Sequence, residues 1–120
     1  MSRNVIAAVD DMFFASKIRG TAEQVGVTVK FARSADQVIE AARAQKASLI
    51  VVDLHSERIS VVDLAKRLKV DDELRAIRLI GFFSHVQTEL RRQAEEAGFD
   101  LVLPRSTFTM QLADLLGRGT

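Results

Sequence analysis

The stretch that most limits what this chain can fold into is Ser48-Leu49-Ile50-Val51-Val52-Asp53-Leu54. It is short, apolar, rich in β-branched residues and free of polar alternation, so it reads as a strand covered on both faces and closed by a carboxylate. Two other runs have the same form. Asn4-Val5-Ile6-Ala7-Ala8-Val9 ends in Asp10-Asp11, and Leu79-Ile80-Gly81-Phe82-Phe83 ends in Ser84-His85. In an open parallel sheet, ligands bind beyond the carboxyl ends of the strands, near the point where the strand order reverses. These polar groups are therefore expected to meet there.

The intervening segments carry helical spacing. Asp10 or Asp11 can cap a first helix whose apolar stripe is Phe14, Ile18, Ala22 and Val25, with Gly26 as its stop. Val27 to Ala32 alternates as a second strand, with Val27, Val29 and Phe31 on one face. Ser34 and Gln37 stand at capping-box spacing before a helix with Ala35, Val38, Ile39 and Ala42 facing inward. After Asp53, the polar segment 54–60 leads to a helix over Val61 to Lys69 with Val61, Leu64, Ala65 and Leu68 inward, and Asp71-Asp72-Glu73 reads as a solvated connection. A helix from about Gln87 to Ala97 shows only a narrow stripe of Leu90, Ala94 and Ala97, and Gly98 ends it. Phe99 to Leu103 reads as the fifth strand. Phe108, Leu112, Leu115 and Leu116 give a final helix its buried face, and Gly117 to Thr120 is expected to fray. Five strands alternating with five helices predict an α/β, flavodoxin-like, doubly wound parallel sheet of order 2-1-3-4-5.

Size and charge narrow the function. With 120 residues, residues 1–120 form one expected domain, since two cores would each be marginal at half that length. The 17 basic and 16 acidic residues leave a net charge of +1 with no basic stripe, which argues against nucleic-acid binding. The absence of cysteine excludes disulfides and thiolate chemistry. No stretch approaches the roughly 20 apolar residues of a membrane helix, so a cytoplasmic protein without a membrane segment is expected.

Phosphoryl chemistry on a carboxylate needs an acceptor oxygen, a counter-charge and donors for the phosphoryl oxygens. Asp10 and Asp11 are hard ligands suited to Mg²⁺, Asp53 is an acceptor or a third ligand, Ser84 a hydroxyl donor, and Arg105 a fork of N–H donors. Helix capping accounts for one of Asp10 and Asp11 but not easily for both. His55 and His85 lack a metal-site spacing and read as loop residues.

These motifs, in this order and over essentially the whole length, resemble the receiver domain of bacterial two-component response regulators. Val9-Asp10-Asp11 looks like that family's acidic pair, Leu49 to Leu54 like its phosphoacceptor strand, Phe83-Ser84-His85 like its hydroxyl position, and Ala97-Gly98-Phe99-Asp100 like its helix-four exit. The resemblance implies a stand-alone phosphoprotein of a phosphorelay. Asp53 would take a phosphoryl group from a sensor histidine kinase or phosphotransfer protein, and Asp10, Asp11 and Asp53 would hold Mg²⁺. Ser84 would grip the phosphoryl group, and the signal would pass to a downstream protein or an oligomer through helix 4, strand 5 and helix 5. It implies no enzyme beyond Mg²⁺-dependent self-phosphorylation and dephosphorylation of Asp53. The chain also departs from the family. Where a lysine is expected after strand five, Arg105 falls if Ala97-Gly98 sets the alignment and Leu103 if Pro104 does; the former keeps a cation. Glu57 and Val61 replace the usual proline and glycine after the acceptor, and the strand-five aromatic is Val102 or Leu101.

These departures motivate a second expectation, a degenerate receiver that docks partners without phosphate. A cofactor-binding flavodoxin-like domain is a third class. Asp53-Leu54-His55 begins a cobalamin-like signature, but Arg58 stands where glycine is needed, and Asp10-Asp11 would repel a phosphate after strand one.

Overall fold

The structure is a computed structural model and describes residues 3–56, 58–84 and 88–118. Five strands and five helices alternate: β1 (Asn4–Ala8), α1 (Met12–Val25), β2 (Thr28–Phe31), α2 (Ala35–Gln45), β3 (Leu49–Asp53), α3 (Val61–Lys69), β4 (Arg78–Phe83), α4 (Thr88–Ala97), β5 (Leu101–Pro104) and α5 (Arg105–Arg118). All strand pairings are parallel and the order is β2-β1-β3-β4-β5, the order expected from the sequence. The apolar runs lie where a two-sided covering demands them, in the three central strands.

Side chains of these strands alternate between two cores. Val5, Leu49, Val51, Ile80 and Phe82 face α1 and α5, which contribute Phe14, Ile18, Phe108 and Leu112. Ile6, Ile50, Val52, Leu79 and Phe83 face the opposite layer with Val38, Leu64, Leu68 and Ala94. The first core is aromatic: the Phe82 and Phe108 rings stack at 4.8 Å, and Phe14 tilts against both at 4.9 and 5.9 Å. Such pairs each add about 0.5–1.5 kcal/mol to the burial of their surface. On the other face Gly81 leaves space that Leu54 and Phe99 fill. A Cβ there would come within 2.8 Å of Leu54 Cδ2 and 3.0 Å of Phe99 Cε2.

Local chemistry sets the helix ends. Asp11 Oδ1 accepts the N–H groups of Phe13 and Phe14 at 2.9 and 3.1 Å, and Gly26, at φ 74°, closes α1 in the left-handed conformation. Ser34 Oγ accepts the N–H of Gln37 at 3.1 Å, while the Gln37 amide oxygen accepts from Arg33 N–H, one residue earlier than in the usual capping box.

Several boundaries differ from the sequence reading. β5 begins at Leu101, not Phe99: Phe99 is a buried core residue, and Asp100 bridges to β4, its carboxylate accepting Leu79 N–H and its own N–H donating to Leu79 O, each at 2.8 Å. The strand ends on Pro104, which an edge strand tolerates because one side of its backbone needs no donor. Val25 leaves the α1 stripe and is 37% exposed, since its turn already runs into Gly26. Asp71 is not merely solvated: it accepts from Arg43 Nη2 at 2.6 Å and from Glu73 N–H at 2.9 Å, tying α2 to the turn before β4. Gly117 and Arg118 continue α5. The expected helix start at Gln87, and Glu57 and His85, lie outside the described residues.

Candidate functional site

Parallel register brings the strand ends together. Ala8 pairs with Val52, Asp53 with Phe82, and Phe83 with Pro104. Each chain leaves the sheet within one or two residues of the same line, so Asp10, Asp11, Asp53, Ser84 and Arg105 all emerge at the carboxyl edge. The sequence reading placed them there, and the structure adds which of them touch.

Asp53 closes the central strand and is half-buried. Its Oδ1 accepts the N–H of His55 at 2.9 Å, and its carbonyl oxygen accepts Ser56 N–H at 3.1 Å, so the chain turns sharply past it. Burial pushes the Asp53 carboxyl above its ordinary range. The His55 N–H and the charges of His55 and Arg105 oppose that rise, and the charge of Asp10 reinforces it. His55, Arg105 and Asp10 therefore lie close enough for their charges to act on the half-buried Asp53.

Asp10 and Asp11 have separate partners. Asp10 is exposed, and its Oδ2 accepts the Ser56 hydroxyl at 3.0 Å, holding the loop after β3 against the loop after β1. Asp11 spends Oδ1 on the α1 cap and Oδ2 on Arg105 Nη2 at 2.9 Å. The Arg105 guanidinium also lies over the Phe14 ring, 4.2 Å from its centroid, so the cation is held from two sides. These contacts drop the Asp11 carboxyl below its ordinary range: the Arg105 hydrogen bond acts most strongly, then that of Phe14 N–H, against a smaller opposing effect of desolvation. Capping thus explains Asp11 but leaves Asp10 with a different task.

Arg105 is the first residue of α5 and supplies a cation to the carboxylate edge, whereas Leu103 packs with the apolar α1/α5 core. Val102 is buried against the α4 side and Leu101 partly buried against the other. Ser84 is exposed at the end of β4 and lines, with Thr88, Arg91 and Arg105, a cavity of about 370 Å³ between the β4/α4 and β5/α5 ends. The contribution of Ser56 was missed by the sequence reading. Its only signal was a hydroxyl three residues after Asp53, too common a feature of loops to single out.

The donor chemistry at this edge is right for a hard divalent cation. Asp11 has both oxygens engaged, Asp10 and Asp53 each have one engaged, and no cluster of three acidic, histidine or cysteine side chains able to hold a metal occurs among the described residues. Nor is any helix among them long and apolar enough to cross a membrane.

The fold is that of CheY-like receiver domains of response regulators. The chemotaxis response regulator CheY4 of Vibrio cholerae superposes with a TM-score of 0.84 at 14% identity, covering 100% of both chains. The phosphorylated cyanobacterial phytochrome response regulator RcpA gives 0.81 at 14% identity over 98% of this chain and 91% of its own. The signal receiver domain of a signal transduction histidine kinase from Syntrophus aciditrophicus gives 0.76 at 16% identity over 98% and 94%. No protein-family model and no curated protein matches the sequence.

Proposed function

We propose that this chain is a receiver module of a phosphorelay: Asp53 accepts a phosphoryl group from the phosphohistidine of a sensor kinase or phosphotransfer protein, and the charge so placed alters binding to a protein target. The observation that supports this most is the position of Asp53. It is a half-buried carboxylate at the end of the central strand, with one oxygen tied down by His55 N–H and the electrostatic influence of Arg105 upon it. The tie orients the carboxylate and leaves Oδ2 to attack phosphorus. The P–O bond to Asp53 forms as the P–N bond of the donor breaks, its electron pair returning to the imidazole, which leaves neutral when its other ring nitrogen carries the proton. The transferred group brings negative charge to the half-buried end of the central strand. Arg105 is the cation in place to offset it, and Ser84 the nearby hydroxyl donor. Asp10, Asp11 and Asp53 are the residues that would hold a Mg²⁺ ion at this edge, where it would offset charge on the transferred group. A role in signalling rather than in turnover of a substrate agrees with the receiver fold of the structural neighbours.

Intact-mass spectrometry after incubation with acetyl phosphate, with and without Mg²⁺, tests the reading. The expected result is a phosphate-sized gain that disappears in Asp53→Asn. No gain under either condition overturns it and leaves a module that docks partners without phosphate.

A further inference from the structure

The commitments of Asp11 point beyond acceptor chemistry. Asp11 gives one oxygen to the α1 backbone and the other to Arg105, 94 positions away in sequence. Arg105 is itself placed by the Phe14 ring, and Phe14 is locked in the aromatic core by Phe82 and Phe108. The guanidinium is thus not a loose surface cation that happened to settle on an acid. It is mounted on the core.

We infer that Arg105 is a built-in counter-ion that competes with divalent cations for Asp11, so that a metal ion enters this acidic edge only by displacing the guanidinium. The inference concerns the metal requirement of the site proposed above, but it depends on the geometry of Asp11 and Arg105 and not on phosphorylation. The physical basis is charge. A small cation that bonds Asp11 Oδ2 at about 2.0–2.1 Å would stand close to the guanidinium whose Nη2 donates to the same oxygen at 2.9 Å. Two like charges on one half-exposed oxygen repel, so the guanidinium opposes the incoming ion. Because Phe14 holds the guanidinium in place, displacement breaks an ion pair and a cation–π contact together, and removing the guanidinium should raise affinity for Mg²⁺ roughly tenfold.

The test is a titration of the whole chain with Mg²⁺ alone, followed by backbone amide shifts of Asp10, Asp11 and Asp53, with no phosphodonor present. Arg105→Met keeps an unbranched apolar side chain over the Phe14 ring while removing the charge, and Arg105→Ala removes both. Unchanged amide dispersion elsewhere establishes that each variant is folded. The expected result is tighter Mg²⁺ binding in both variants, roughly tenfold over the parent. Mg²⁺ binding no tighter in either folded variant overturns the inference, as does a parent protein in which saturating Mg²⁺ leaves the Arg105 Nε–H resonance and the Asp11 contact unchanged. Failure of acetyl phosphate to label Asp53 would instead overturn the phosphorelay reading and leave this competition intact.

Discussion

Helices α1 and α4 both leave the carboxyl edge of the sheet beside the candidate site, yet they are built on different principles. α1 buries Phe14, Ile18 and Ala22, is capped by Asp11 at one end and Gly26 at the other, and carries into the site a carboxylate and the ring under Arg105. α4 has one buried residue, Ala94, with Leu90 and Ala97 only partly covered, and its outer surface is laced by Arg92 with Glu89 and Glu96. The difference teaches where each kind of stability comes from. Burial of large side chains fixes α1 to the sheet, and with it the carboxylate and the ring that it brings to the site. A single alanine and solvated ion pairs hold the internal order of α4 while contributing little to its attachment. The acidic side of the site is therefore rigid, and the Ser84 side is flanked by the helix that costs less to shift.

The strongest way to break the contrast is to hollow out the rigid side. Phe14→Ala removes a ring packed on Phe82 and Phe108, and a loss of about 3–5 kcal/mol is expected from the urea midpoint and slope. The same change frees the Arg105 guanidinium from its platform. A destabilisation no larger than that of a surface substitution would mean α1 is not anchored as described.

A smaller effect is expected where capping and ion pairing are separated. Asp11→Asn retains an oxygen for the Phe13 and Phe14 N–H groups but loses the charge facing Arg105. The Asp11 carboxyl is held below its ordinary value of 3.8, so its charge favours the folded state above that value, and the advantage disappears as pH falls through the lowered folded-state value. The parent should accordingly be more stable than Asp11→Asn at neutral pH, with the two denaturation curves converging in strong acid. Curves that stay apart there would show that the asparagine disturbs the cap itself.

The smallest effect belongs to α4. Arg92→Ala deletes the hub of two of its exposed ion pairs, and the denaturation midpoint is expected to stay within measurement scatter. What should change is local, with faster hydrogen exchange of the α4 amides than in the parent. A large drop in global stability would show that the ion pairs attach the helix to the sheet.

Much of this organisation was legible beforehand because burial leaves a periodic trace. Leu49 to Val52 are apolar at every position because the strand is covered on both sides, and the stripe of Val61, Leu64, Ala65 and Leu68 is the inward face of α3. The capping role of Ser34 was legible for a similar reason, since a cap and its partner are three residues apart in any sequence. Boundaries were less so: Phe99 and Asp100 carry the composition of a strand but serve a core contact and a bridge to Leu79, and composition does not distinguish those from ladder pairing.

By itself the sequence determined the layers, the strand order and the edge at which Asp10, Asp11, Asp53, Ser84 and Arg105 emerge, because apolar periodicity and chain connectivity leave few alternatives for a right-handed parallel sheet. The tertiary structure alone decided which carboxylate takes which partner. Asp10 and Asp11 are chemically identical neighbours, and what sends one to Ser56 and the other to Arg105 is the direction in which α1 departs and the place where Phe14 lodges. Partner choice between side chains far apart in sequence depends on three-dimensional distance and orientation, and neither leaves a period for a one-dimensional pattern to carry.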